Sequence, residues 1–370
     1  MTDRLPFPAR FRPAGLGAPS FTAVGLVALV ALTGSALGAQ GNSDSAAVAA
    51  KARAIHGRVL SIDTHVDISP RNFTTTAPNY GQKLPNTQVD IAKMEEGGLG
   101  GAFLIVYVGQ SPNLDSAGFA RANATAMELF RSVHRLVDTI APTRAALALT
   151  AADARKIHAS GKRVIFIGVE NGFQMGQDIT NLKKFYDLGG RYMSLAHNGH
   201  SQLSDSNTGE RDGVWLHNGL SPLGRQVIAE MNKLGMMIDI SHPSKQSMMQ
   251  TLEITKAPII ASHSAVRAIC NHSRNLDDEQ MLALKKNGGV MQTVAFNSYV
   301  KCDPAKDNPR NEARAAALAE LRKEYGITAT ARQEVTAQID ALPADRKNEY
   351  LAKQEDITAR RYPSDPAATV

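Results

Sequence analysis

Cysteine is scarce in this chain: 370 residues carry two, Cys270 and Cys302. Any metal site must therefore draw chiefly on nitrogen and oxygen ligands. Neither a G-x-G-x-x-G opening to the first helix nor a G-x-x-x-x-G-K-[ST] loop occurs, which argues against dinucleotide and P-loop nucleotide binding. The net charge of +6 is modest for the length and no arginine–aromatic stripe accompanies it, so no nucleic acid is expected as a partner. Long apolar runs are missing too. The main one, Phe21 to Leu32, falls short of the ~20 residues a membrane span needs. With 43% hydrophobic and 21% charged residues, the chain has the composition of a soluble globular protein.

The amino terminus reads as a signal peptide over residues 1–39. Arg4, Arg10 and Arg12 precede the short apolar run, which ends in small residues at Ala36-Leu37-Gly38-Ala39. The alternative is an uncleaved anchor; no cysteine near the cleavage zone offers a lipid attachment point. An exported mature chain, periplasmic or extracellular and without a stable membrane span, is expected. In that setting Cys270 and Cys302 are candidates for a disulfide. Closing a loop of about 32 residues would contribute roughly 3–4 kcal/mol in the chain-entropy model. Two buried free thiols are the other reading.

Downstream, apolar β-branched runs alternate with helical patterns. Strands are expected near Leu60–His65, Ala102–Val108, Val164–Glu170, Tyr192–His197, Met236–His242, Pro258–His263 and Val290–Phe296. Ser221-Pro222 fits the start of a helix ending at Gly235, and Asp277 can cap a helix ending at Gly288. Leu182, Phe185 and Leu188 have helical spacing before Gly189-Gly190. Regular strand–helix alternation argues for a parallel sheet, and seven units in series favour a TIM-like (β/α)₈ barrel over residues 40–302. No eighth strand is readable, so the barrel is expected to be incomplete. Residues 303–370 are expected to form a helical insertion or a solvated arm.

Several strands end in ligand-type residues, where a barrel gathers its functional groups. His65 and Asp67, two apart in an extended segment, project to the same side. Glu170 closes an apolar strand, where a carboxylate is costly unless paired or metal-bound. His242 and His263 end two successive strands. These five suit zinc or another divalent first-row ion. Glu170 is the natural bridge, with His65 and Asp67 on one ion and His242 and His263 on the other. Two such ions share and acidify a water, giving a nucleophile for a carbonyl or phosphoryl centre. His197, on the strand between those of Glu170 and His242, can stabilise developing negative charge. Arg274 can clamp a carboxylate through two parallel bonds.

These segments resemble the membrane (renal) dipeptidase family of zinc metallopeptidases. The resemblance rests on Ile62-Asp63-Thr64-His65-Val66-Asp67, Gly168-Val169-Glu170-Asn171-Gly172, Arg191 to Asn198, Gly219-Leu220-Ser221-Pro222, Asp239-Ile240-Ser241-His242, Ser262-His263-Ser264 and Ser273-Arg274-Asn275. It implies two Zn2+ per chain on His65, Asp67, Glu170, His242 and His263, with His197 on the scissile carbonyl or its oxyanion. It implies that Arg274 and Tyr299 hold the carboxylate of a dipeptide substrate, and that Cys270 pairs with Cys302. A homodimer is left open. The family's final Gly-x-Asp-Phe-Asp-Gly-like strand is not found; Arg360-Arg361-Tyr362-Pro363-Ser364 resembles the approach to it. Three functions are thus in view: an exported dipeptidase, a binuclear amidohydrolase acting on a cyclic amide, lactone or phosphoester, and a catalytically impaired metal-binding fragment.

Overall fold

The computed structural model describes residues 45–111, 113–301, 309–329 and 332–361. The expected signal segment lies outside them, as does Cys302. Residues 45–56 are helical and belong to a unit of their own, which ends at Arg58.

From Val59 onward the chain builds a nearly closed parallel barrel. Seven strands follow one another: β1 (Ile62–Asp67), β2 (Gly101–Tyr107), β4 (Arg163–Glu170), β5 (Gly190–Ser194), β6 (Met237–Asp239), β7 (Ile260–Ser264) and β8 (Val290–Thr293). A short β3 (Ala145–Leu147) pairs with the first residues of β4, while β5 pairs further along, from Ile167. Among the described residues no ladder joins β8 to β1, so the seam stays unsealed. β1 is instead held towards β7 by a 2.6 Å bond from Thr64 Oγ1 to the Ser262 carbonyl.

All seven expected strands are present; β3 is an addition. Three stop well before the sequence suggests, β8 at Thr293 rather than Phe296. β5 stops at Ser194 and β6 at Asp239, so His197 and His242 stand three residues past the ladders. The cause at β6 is local. Asp239 Oδ1 accepts the Ser241 N–H at 3.1 Å, diverting a backbone donor from the sheet.

Alternation sorts the side chains. Along β4, Ile165, Ile167 and Val169 pack outward under the helices, while Val164 and Phe166 turn into the barrel. Phe166 stacks on Phe103 with ring centroids 4.5 Å apart. Gly168 and Glu170 continue the inward phase. A Cβ on Gly168 would lie 2.3 Å from Tyr192 Cζ, so only glycine lets that ring cross the interior.

The helices begin and end as their punctuation requires. Ser221 caps α5 (Pro222–Leu234) through the Gly224 N–H, and left-handed Gly235 closes it. Asp277 and Gln280 form a capping box on α7 (Asp278–Asn287), closed by Gly288. Earlier helices are α1 (Ile91–Gly97), α2 (Ser116–Arg135), α3 (Ala151–Ala159) and α4 (Thr180–Asp187), and α6 (Lys245–Ile254) lies between α5 and α7. Beyond the barrel, α8 (Pro309–Glu324), α9 (Arg332–Asp340) and α10 (Ala344–Glu355) close on a small core containing Leu321, Tyr325, Val335 and Tyr350. Asp340 on α9 pairs with Arg71 of the segment after β1. Among the described residues no helix is long and apolar enough to cross a membrane.

Candidate metal centre

Glu170, 2% exposed, is the hub of the barrel mouth. Its Oε2 lies 3.4 Å from His65 Nε2. Its Oε1 lies 3.0 Å from His242 Nε2, 3.3 Å from His263 Nε2 and 3.9 Å from His197 Nε2. Despite those neighbours, Oε1 has no aligned hydrogen-bond donor. Nitrogens that crowd a carboxylate without pointing a proton at it are arranged as a ligand set.

The far side of each ring supports the same reading. His65 Nδ1 faces Tyr192 Oη at 3.2 Å, and that hydroxyl already donates to the Thr64 carbonyl. His197 Nδ1 faces Tyr107 Oη at 3.3 Å, His242 Nδ1 faces Asn198 Oδ1 at 3.1 Å, and His263 Nδ1 faces Ser262 Oγ at 2.9 Å. For His65, His242 and His263, outer partners that accept from Nδ1 leave Nε2 lone pairs for a cation, the usual construction around metal-bound histidine; the Tyr107 hydroxyl can instead donate to His197 Nδ1. His242 Nε2 and His263 Nε2 also approach to 3.1 Å, a contact that two inward lone pairs tolerate best with a cation between or beside them. The donor set therefore fits a divalent metal.

Ligand atoms within 4.8 Å of one another form two groups: His65, Glu170 and His263, and Glu170, His197 and His242. Glu170 is shared, as a bridge would be. The division differs from the one drawn from sequence, because His242 and His263 fall in different groups and His197 stands among the ligands. Asp67 joins neither. Its side chain is 78% exposed, with Oδ1 3.7 Å from His65 Nε2.

Electrostatics follow from burial and the central carboxylate. Burial opposes a charged His65, but Glu170 and Asp67 outweigh it and raise the ring to about 10. Burial likewise opposes the Glu170 charge, and the charge on His65 is the chief effect that holds it well below the usual range. His242 and His197 are pushed down, first by burial, and His263 falls to about 4 through burial and the charge on His65. In the metal-free chain one imidazolium thus balances the buried carboxylate while the other rings stay neutral.

A cavity of about 750 Å³ opens onto this cluster, and all eight residues singled out for metal or substrate line it: His65, Asp67, Glu170, His197, His242, His263, Arg274 and Tyr299. Arg274 is 3% exposed, donates from Nη2 to the His263 carbonyl at 3.0 Å, and leaves Nε without a partner. Its guanidinium stands 5.4 Å from the centre of the Tyr299 ring. Burial lowers its pKa, which a bound anion would offset. Cys270 is buried, its Sγ 3.3 Å from the Ser298 carbonyl, four positions before Cys302. Tyr107, Tyr192 and Asn198 were not found from sequence; only Tyr107 stands at a strand tip, and Tyr192 lies within β5.

Residues 49–338 match the family model described as membrane dipeptidase (peptidase family M19). The chain belongs to that family. Dipeptidase aclJ of Aspergillus oryzae is 33% identical over 238 residues, 63% of this chain and 54% of the relative. Dipeptidase 3 of Mus musculus is 30% identical over 238 residues, 64% of this chain and 44% of that one. The chain thus spans about half the length of the curated relatives it matches. Among solved structures, the probable dipeptidase PvdM of Pseudomonas aeruginosa superposes with a TM-score of 0.62 at 27% identity, covering 83% of this chain and 77% of its own. A metallo peptidase from Rhodobacter sphaeroides shares the fold, with a TM-score of 0.57 at 23% identity over 66% of this chain and 76% of its own. This family is the one indicated by the sequence motifs.

Proposed function

We propose that this chain is an exported dipeptidase that hydrolyses the peptide bond of dipeptides at a centre of two zinc ions. His65, Asp67, Glu170, His242 and His263 would hold the metals, with Glu170 shared between them. The observation that carries the reading is the convergence of four Nε2 atoms on a buried carboxylate whose Oε1 has no aligned donor. Bound divalent cations supply Lewis acidity there, polarising a carbonyl and acidifying a water towards neutrality.

The chain's own residues supply the rest. Arg274, which lines the cavity and keeps an unpartnered Nε, binds the carboxylate of a dipeptide, and Tyr299 flanks it. Pairing of that guanidinium with a terminal carboxylate favours a short substrate over an internal segment of a long chain, which has no such group. His197, whose Nδ1 can accept from the Tyr107 hydroxyl and so keep its hydrogen on Nε2, would donate to the oxygen that gains charge, a contribution of about 3 kcal/mol for one good donor. Disulfide pairing of Cys270 with Cys302 and passage out of the cytoplasm complete the proposal. Its support is the family relation together with the sequence pattern of residues 1–39.

The test is hydrolysis of dipeptides with a free or an amidated carboxyl end, with and without a chelator. The expected result is metal-dependent cleavage of the free-acid form alone. Chelator-resistant hydrolysis, or equal cleavage of both forms, contradicts the reading.

A further inference from the structure

Asp239 is fully buried, does not line the cavity, and touches no candidate ligand directly. Among the described residues no lysine or arginine pairs with it; four N–H and O–H donors surround it instead. Oδ1 accepts from Ser241 N at 3.1 Å, Ser241 Oγ at 2.8 Å and Ser262 N at 2.9 Å, and Oδ2 accepts from Ser262 Oγ at 2.7 Å. A buried carboxylate with this many donors is expensive to build unless it fixes something.

What it fixes is the direction of two hydroxyl protons. Ser241 and Ser262 each have one, and each spends it on Asp239. The 3.2 Å contact between the two Oγ atoms therefore has no proton of its own. Ser262 Oγ is left with lone pairs only, and it sits 2.9 Å from His263 Nδ1. That contact is attractive only if Nδ1 carries the hydrogen. The Nε2 lone pair then faces Glu170 and His242. The β7–β8 ladder changes register between Ala261 and Ser264, the stretch that contains Ser262 and His263.

We infer that Asp239, acting through Ser262, is a positioning residue that locks His263 in the Nδ1–H form required of a metal ligand. The inference rests on the metal-centre reading for its purpose but not for its geometry. Asp239→Asn keeps the shape and still accepts backbone N–H bonds, yet its amide can donate to Ser262 Oγ. The serine proton is then free to turn towards His263 Nδ1, selecting the Nε2–H form that cannot ligate.

Two readouts test it on the full chain. In metal-free protein with ¹⁵N-labelled histidine, nuclear magnetic resonance reports the tautomer of His263, assigned by comparison with His263→Gln. Zinc affinity is measured by competition with a chelator. Expected are Nδ1–H in the parent chain, a shift to Nε2–H in Asp239→Asn, and a 10–100-fold loss of zinc affinity. Should Asp239→Asn fail to fold, Ser262→Ala removes the link and is expected to release the tautomer with a similar loss. Ser241→Ala keeps the Ser262–Asp239 bond but removes the acceptor of the His263 backbone N–H at 3.0 Å, so it is expected to keep the Nδ1–H form and to cost less zinc affinity than Ser262→Ala. An Nε2–H parent, a folded Asp239→Asn or Ser262→Ala indistinguishable from it, or an equal loss in Ser241→Ala overturns the inference. A correct tautomer without zinc binding would sink the metal reading and leave the positioning role standing.

Discussion

The barrel mouth and the carboxy-terminal helices solve opposite problems. At the mouth, a carboxylate and four imidazoles are buried together on strand tips and held by outer partners on every ring. The helices from Pro309 to Glu355 bury a few apolar side chains, including a Tyr325–Tyr350 edge contact at 5.3 Å, and keep their charges in exposed pairs such as Lys353–Glu324. The mouth concentrates polar groups where water is excluded, which is unstable without a compensating cation. The helical segment has an ordinary small core and needs none. Metal and pH should therefore act on the barrel and spare the helices.

The largest expected effect is on that contrast. In metal-free protein His65 is raised from 6.5 to about 10, so its contribution is complete below pH 6.5 and fades as pH climbs towards 10. Glu170 is lowered, so its contribution holds above 4.5 and is lost on acidification through its folded value. Zinc must displace the His65 proton, so its stabilisation should grow with pH. Thermal melts at pH 6 and 9, with chelator and with zinc, are expected to show the zinc increment larger at pH 9. A Tyr350→Ala variant should weaken the helical segment and leave that increment unchanged.

Arg274→Ala is expected next in size. Losing a buried guanidinium that meets a carboxylate should cost about 2–3 kcal/mol, read as a rise in KM for free-acid dipeptides of roughly two orders of magnitude. Zinc content should not change. Gly168→Ala places a methyl against Tyr192, and overpacking of about 1–3 kcal/mol should appear in denaturant midpoints. Because Tyr192 also meets His65, zinc affinity should fall as well. The smallest effect belongs to Arg71→Ala. Its pair with Asp340 is exposed, so global stability should change by less than about 1 kcal/mol, with zinc binding unaltered.

How much of this was legible in the sequence follows from the kind of signal each residue leaves. The seven strands announced themselves as apolar runs, and α5 and α7 as Ser-Pro…Gly and Asp…Gly frames. Glu170, His242 and His263 were visible because a charged or imidazole side chain at the end of such a run needs a reason. β3 is three residues long and carries no such pattern. The end of β6 was misplaced because a side-chain bond, that of Asp239 to the Ser241 N–H, overrides hydrophobic continuity. Tyr107, Tyr192 and Asn198 escaped because a tyrosine or asparagine is ordinary in sequence. Their partners lie 90, 127 and 44 positions away and are brought near only by the closing of the barrel. The helical segment left open whether it packs or solvates, since Leu321, Tyr325 and Tyr350 are too sparse to outweigh their charged neighbours.

Metal stoichiometry tests the central claim most directly. The purified chain is stripped with chelator, titrated with zinc, and its bound metal counted beside that of Glu170→Gln. Two ions per parent chain, with tight binding lost in the variant, is the predicted result. A parent that binds no zinc tightly, or a Glu170→Gln variant that binds it as the parent does, would contradict it.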